Sequence, residues 1–345
     1  MLPSLAGAIL AGLLAFFFAN ILRPFFLKMG LVDEPERLVR KIHTRAIVLV
    51  GGAAIMLAVI FVLGITKQIA PELLPQLSLH KWVALGFAIF ILFGFGFLDD
   101  RYGLPPIVQM CGPIIAALLV VQSGIQVLKI TNPFVNGTIN FTTVVWIAPC
   151  ITFIWLMAMM YSTKLLDGLD GLATGLSAIG ACLIFGLTHL PKFYEPRIGF
   201  LALVFAGACI GFLVLNFYPA RAFLGEGGSL FVGFMLGILA ILSGSKIATT
   251  LLVMGLPLFD VARVIIVRLL RRQPIFVGDQ LHLHHLLLRN GFLHRTAVLT
   301  YYILGIGFGV TALLFQSRGK LIMLGLLALV SLVLTITLHT RIKKV

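Results

Sequence analysis

Trp82-Val-Ala-Leu-Gly-Phe-Ala-Ile-Phe-Ile-Leu-Phe-Gly-Phe-Gly-Phe-Leu98, followed at once by Asp99-Asp100-Arg101, decides the fold class. Seventeen uncharged, apolar residues in a row read as a helix that crosses a bilayer. The two carboxylates directly behind it are costly at a membrane boundary unless they are solvated, paired or bound to a cation. The stretch therefore reads as a membrane span that delivers a pair of acids to the membrane–water interface.

The same pattern recurs from end to end. The chain is 60% hydrophobic and only 11% charged, with a mean hydropathy of +1.10. Its apolar runs predict eleven spans at roughly 4–23, 46–65, 82–98, 106–123, 143–160, 171–188, 197–215, 228–243, 247–266, 296–315 and 321–338. The expected fold is an all-α polytopic membrane protein of about eleven transmembrane helices, with residues 1–345 forming one integral membrane domain. The longest polar segment lies within the loop 267–295, too short for a separate soluble domain. The apolar run from Leu5 to Leu22 reads as a first span and not as a cleaved leader. Cys111, Cys150, Cys182 and Cys209 sit in or at the ends of apolar runs and read as packing residues.

Loops 24–45, 99–105, 161–170, 216–227, 267–295 and the C-terminal tail share one face. With the adjoining span ends they carry 18 of the 26 Lys and Arg residues. The positive-inside bias makes that face cytoplasmic and places the N-terminus outside. The net charge of +14 then belongs to span flanks meeting anionic headgroups, and no nucleic-acid partner is expected. Ten of the twelve acids also fall on this face, leaving only Glu72 and Glu195 opposite. The positive-inside rule does not explain that asymmetry. It points instead to a metal-dependent active-site cleft on the cytoplasmic side. On the outer, periplasmic side, Ile125–Phe141 alternates around Asn136-Gly137, the pattern of a short β-hairpin.

Four constellations could carry the chemistry. Asp99 and Asp100 point about 100° apart on a helix end, so one can bind a cation while the other takes a proton; an ion pair with Arg101 is the structural alternative. In Asp167-Gly-Leu-Asp170-Gly, the acids share a face if helical, and the glycines allow close approach of a phosphate–metal group; turn and capping chemistry is the alternative. In Asn216-Phe-Tyr-Pro-Ala-Arg221-Ala-Phe223-Leu-Gly225-Glu226-Gly-Gly-Ser229, Phe223 could stack a base, Glu226 could ligate Mg²⁺ and the glycine amides could cradle phosphate. A plain glycine-rich turn is the alternative. His282, His284 and His285 could donate hydrogen bonds to a diphosphate, form a zinc site, or simply cluster on the surface. Lys41 and His43 could add phosphate contacts or anchor the chain at the interface. Acids, glycine turns and cations together point to phosphoryl transfer between a soluble nucleotide and a phosphorylated lipid. A cation transporter, or a binding protein without turnover, are the competing classes.

Several spaced motifs resemble the polyprenyl-phosphate N-acetylhexosamine-1-phosphate transferases, a family that includes the phospho-N-acetylmuramoyl-pentapeptide transferases. They are Arg40-Lys41-Ile-His43-Thr44, Gly51-Gly52, Asp99-Asp100, Asp167-Gly-Leu-Asp170-Gly-Leu, Asn216, Gly225-Glu226, Pro257-Leu-Phe-Asp260, Gln273-Pro-Ile-Phe276 and His282-Leu-His284-His285. The resemblance implies eleven spans in the bacterial inner membrane, Mg²⁺ (with Mn²⁺ as a substitute), and transfer of a sugar-1-phosphate from a UDP-sugar to undecaprenyl phosphate with release of UMP. It also permits a homodimer. The His-X-His-His form looks like the UDP-N-acetylglucosamine branch. By matching position, Glu226 would hold Mg²⁺ with Asp167 nearby, and Asp99 and Asp100 would orient or deprotonate the lipid phosphate. Asp170, Asn216 and Phe223 would contact the nucleotide, and the histidines its diphosphate. Lys164 and Tyr161 stand where the family usually has Asn, and Glu226 where it usually has Asp; Lys164 could pair with Glu226 or with phosphate.

Overall fold

The computed structural model describes residues 1–33, 46–132, 134, 137–244, 247–272 and 282–342. Eleven helices fall on the predicted spans: α1 (Leu2–Lys28), α2 (Gly51–Ile69), α3 (Leu79–Tyr102), α4 (Pro106–Gln122), α5 (Ile147–Leu166), α6 (Leu172–Thr188), α7 (Pro196–Asn216), α8 (Glu226–Leu242), α9 (Ile247–Leu270), α11 (His294–Leu314) and α12 (Ser317–Ile342). A further short helix, α10 (Leu283–Arg289), lies inside the segment expected to be loop. Eight of the eleven are long and apolar enough to cross a membrane. The other three, α4, α6 and α8, have 17 residues each. The protein is a polytopic, essentially all-helical membrane protein.

Burial separates the helices by role. Every residue of α8 from Gly227 to Ile241 is buried, and a helix apolar on all sides belongs at the centre of a bundle. It packs against α2, α3, α5, α6, α7 and α9. By contrast, α1 buries only small residues, Ser4, Ala11, Ala15 and Ala19, and turns Phe16, Phe17, Ile21 and Phe25 outward. Four-residue spacing keeps the alanines on one face, and the bulky face is suited to lipid.

The second span begins later than its apolar run. Ile47–Leu49 form strand β2 and not the first turn of a helix. Strand β1 (Val32–Asp33) pairs with it antiparallel, Val32 opposite Val48. Strand β5 (Ala222–Phe223) pairs with it in parallel, Leu49 opposite Phe223. β-branched Ile47 and Val48 favour the extended state, and the Gly52 amide at the start of α2 donates to Leu224 O at 3.0 Å. The predicted hairpin is present: β3 (Lys129–Thr131) and β4 (Thr138–Asn140) pair with Ile130 opposite Ile139. Asn136 at its tip lies outside the described residues.

Candidate active site

The site begins with glycine. Gly96 of α3 packs on Gly227, and Gly52 of α2 on Gly228; a Cβ at Gly52 or Gly96 would land on the backbone of α8. This approach sets Glu226, the first residue of α8, against the end of α3. Both carboxylate oxygens of Asp100 accept from the Glu226 amide, at 3.0 and 3.1 Å. Asp100 thereby satisfies an otherwise open amide and faces the positive end of the helix dipole. Gly225 makes the preceding turn at φ +78°, a conformation that favours glycine. The Glu226 amide is taken by Asp100, and Gly227 and Gly228, whose amides were expected to cradle phosphate, are buried against neighbouring helices.

Asp99 and Asp100 serve different partners, as their divergence on the helix predicts. Oδ1 of Asp99 accepts from the Leu104 amide at 2.7 Å and from Gln109 Nε2 at 3.0 Å. The Gln109 amide also donates to Leu104 O at 2.8 Å. At its other end, Gln109 Oε1 accepts from Lys164 Nζ at 3.0 Å. Lys164 in turn pairs with the carboxylate of Glu226 and lies over the ring of Tyr161. Two of the positions at which the chain departs from the expected motif, Lys164 and Glu226, therefore meet in one ion pair.

The loop from Asp167 to Gly171 is held from three sides. The Asp170 carboxylate accepts from the Ala220 amide at 2.9 Å. The Asp170 amide donates to His294 Nε2 at 2.9 Å. Tyr302, on α11 with His294, donates its hydroxyl to Gly171 O at 2.5 Å. Neither His294 nor Tyr302 stood out in the sequence, since a lone His just before a span or a Tyr within one carries no spacing signal. Asp167 is half-buried; its amide donates to Thr163 O at 3.1 Å, and its carboxylate has no hydrogen-bond or ion-pair partner among the described residues. Burial, and then the nearby charges of Glu226, Asp100, Asp170 and Asp33, push its carboxyl well above the usual range. Such mutual influence also shows that these acids share one electrostatic environment.

Asn216 is buried, and both ends of its amide are used: Thr174 Oγ1 donates to Oδ1 at 2.7 Å, and Nδ2 donates to Ala222 O at 3.0 Å. Here it ties α6 and α7 to the strand before α8. Phe223 is half-buried in β5. The histidines separate by task. His282 Nδ1 lies 2.9 Å from Asp260 Oδ2, which also accepts from the Leu283 amide at 3.0 Å. Asp260 thus fixes the start of α10, with Arg263 bonded to its other oxygen at 2.7 Å. His284 is buried and stacks with His282, their ring centres 5.7 Å apart. Burial, then His285 and His282, lower its pKa to about 3, so it is a neutral ring. A Cβ at Gly168 would lie 3.2 Å from its Nε2, which puts α10 beside the Asp167 loop. Half-buried His285 lies against His284 with ring centres 4.2 Å apart. Lys41, His43, Gln273 to Phe276 and Asp279 lie outside the described residues.

Among the described residues, no three His, Cys, Asp or Glu side chains gather closely enough to hold an ion by themselves. Mg²⁺ rarely needs such a cage: one or two carboxylates suffice when phosphates and water complete the shell. Unpartnered Asp167 fits that chemistry. Glu226 fits it only if Lys164 moves away.

Residues 82–244 match the model of glycosyl transferase family 4. A probable undecaprenyl-phosphate N-acetylglucosaminyl 1-phosphate transferase of Bacillus subtilis is 32% identical, over 86% of this chain and 80% of its own length. A decaprenyl-phosphate N-acetylglucosaminephosphotransferase of Mycolicibacterium smegmatis is 29% identical, over 94% and 86% respectively. A phospho-N-acetylmuramoyl-pentapeptide-transferase of Desulforudis audaxviator is also 29% identical, over 91% and 98%. The chain belongs to glycosyl transferase family 4, as a membrane enzyme of the polyprenyl-phosphate N-acetylhexosamine-1-phosphate transferases.

Proposed function

We propose that this enzyme transfers N-acetylglucosamine-1-phosphate from its UDP derivative to undecaprenyl phosphate, on the cytoplasmic side of the bacterial inner membrane. An oxygen of the lipid phosphate attacks the phosphorus bearing the sugar. The bond from that phosphorus to the bridging oxygen breaks, and UMP leaves. The product is the lipid-linked sugar that opens a cell-envelope polysaccharide. The observation that carries the reading is the gathering of acids from three separate helix ends, Asp99 and Asp100 of α3, Asp167 after α5 and Glu226 of α8, into one electrostatic environment in which Lys164 pairs with Glu226.

In this reading the protein mainly positions and neutralises, which is what phosphoryl transfer demands. Asp167 would hold Mg²⁺ together with the diphosphate of the donor, and Glu226 would join it when released by Lys164. The ion supplies neutralisation of charge on the transferred phosphoryl group. Lys164, once released, is a cation for phosphate. Asp99 orients the acceptor phosphate; because that group's second pKa is about 6, little base strength is needed. Asp170, Asn216 and Phe223 form or support the nucleotide side, and the histidine run, with Lys41 and His43, the diphosphate side. Residues 1–345 act as one membrane domain, with the N-terminus outside and the loop 267–295 in the cytoplasm; a homodimer is compatible with it.

The test is UMP release by the purified protein with undecaprenyl phosphate and Mg²⁺, offered UDP-N-acetylglucosamine, UDP-N-acetylgalactosamine and UDP-MurNAc-pentapeptide separately. Lipid-dependent release with the first donor is expected, falling by about a hundredfold or more in Asp167→Asn. Release with the pentapeptide donor alone would move the enzyme to the peptidoglycan branch. A folded protein inert toward all three would sink the reading.

A further inference from the structure

Gln109 lies in the first turn of an apolar helix and belongs to none of the motifs above. Its side chain nevertheless stands between the two charged groups that matter most. Nε2 donates to Asp99 Oδ1 at 3.0 Å and to Leu104 O at 2.8 Å; Oε1 accepts from Lys164 Nζ at 3.0 Å. The charges fix which way the amide faces. Reversed, its NH₂ would meet an ammonium and its carbonyl a carboxylate, leaving both charged contacts repulsive. Both bonds to Asp99, from Gln109 and from the Leu104 amide, converge on the same oxygen. Oδ2 has no hydrogen-bond partner among the described residues.

We propose that Gln109 is a positioning residue: it turns Asp99 so that Oδ2 alone faces the acceptor phosphate, and it links that carboxylate to the Lys164–Glu226 pair on the donor side. The inference rests on the transferase reading above and extends it to how the two substrate sides are coupled. A rotating carboxylate would present either oxygen; held at Oδ1 by two donors, it presents one. The amide also lies head-to-tail between Lys164 and Asp99, so movement of Lys164 toward a phosphate alters the bond that fixes Asp99. Donor binding and acceptor alignment are thereby connected through one side chain.

The experiment compares Gln109→Met, which keeps length and loses both polar ends, with Gln109→Glu, which keeps shape but sets a carboxylate against Asp99. Each is made in the wild-type and Asp99→Asn backgrounds, with thermal unfolding as a check on folding. In the wild-type background, Gln109→Met is expected to lower kcat/KM for the lipid acceptor by about tenfold. Gln109→Glu should lose at least as much despite its shape. In the Asp99→Asn background the further loss from Gln109→Met should shrink to about twofold or less, because the residue acts through Asp99. An equal loss in both backgrounds, or wild-type rates in Gln109→Glu, would overturn the proposal while leaving the transferase intact. An inert wild-type protein would remove the transferase reading, and this proposal with it.

Discussion

The two ends of the helix bundle spend their polar groups differently. At the end where α3 stops and α8 starts, side chains bond to side chains across helices: Asp99 to Gln109, Gln109 to Lys164, Lys164 to Glu226. At the hairpin end, three cations donate to neutral oxygen: Arg318 to Phe134 O at 2.6 Å, Lys320 to Thr249 Oγ1 at 3.1 Å, Arg197 to Glu72 O at 2.9 Å. Among the described residues, the first end leaves capacity unspent, in the carboxylate of Asp167 and in Oδ2 of Asp99. The comparison teaches that function here is marked less by the presence of charge than by charges arranged against one another with a valence left over.

The sharpest way to break the contrast is to remove the cation at the carboxylate end. Lys164→Met leaves Glu226, largely buried, without its counter-charge, and is expected to destabilise the protein by about 2 kcal/mol. Adding Glu226→Gln should restore most of the unfolding midpoint but not turnover. If the double variant is as unstable as Lys164→Met, the pair is not what holds this end together.

A more gradual effect should appear with pH. The unfolded chain takes up a proton on His284 near pH 6.5, whereas the folded protein resists until about pH 3. Stability therefore falls as pH drops through that window, by up to about 1.4 kcal/mol per unit. His284→Gln should flatten the acid limb of an unfolding-midpoint profile between those values; an unchanged slope would show that His284 is protonated in the fold. The smallest effect belongs to the hairpin end. Arg318→Ala is expected to shift stability by less than about 0.5 kcal/mol and to leave UMP release unchanged. A loss of turnover there would erase the distinction between the two ends.

The spans were legible because apolar length and basic flanks are properties of a single segment. All eleven helices stand where the hydrophobic runs put them, and the alternation around Gly137 foretold β3 and β4. What could not be read is what depends on a distant partner. Strand β2 hides inside an apolar run, and only its pairing with residues near 32 and 222 reveals it. The acids and Lys164 announced themselves as charges beside spans. Gln109 left one weak signal, an amide in the opening turn of an apolar helix, and Tyr302 and His294 left none. The glycines after Glu226 carry a demand of another kind. Their small size is used for helix contact, a demand that looks the same in sequence as room for a ligand.

The hydrogen bond from the Glu226 amide to the Asp100 carboxylate spans 126 residues, and that separation has a meaning for how the protein is made. When α3 enters the membrane during synthesis, the helix that will receive its carboxylate is still five spans away. Until α8 arrives, Asp99 and Asp100 have no partner from that helix, and their place at the tip of α3 lets them wait in water instead of hydrocarbon. The site is therefore among the late products of assembly. A chain halted before its eighth span would carry Asp99, Asp100 and Asp167 but not Glu226, so the pair with Lys164 and the contact with Asp100 can form only once that span has been made.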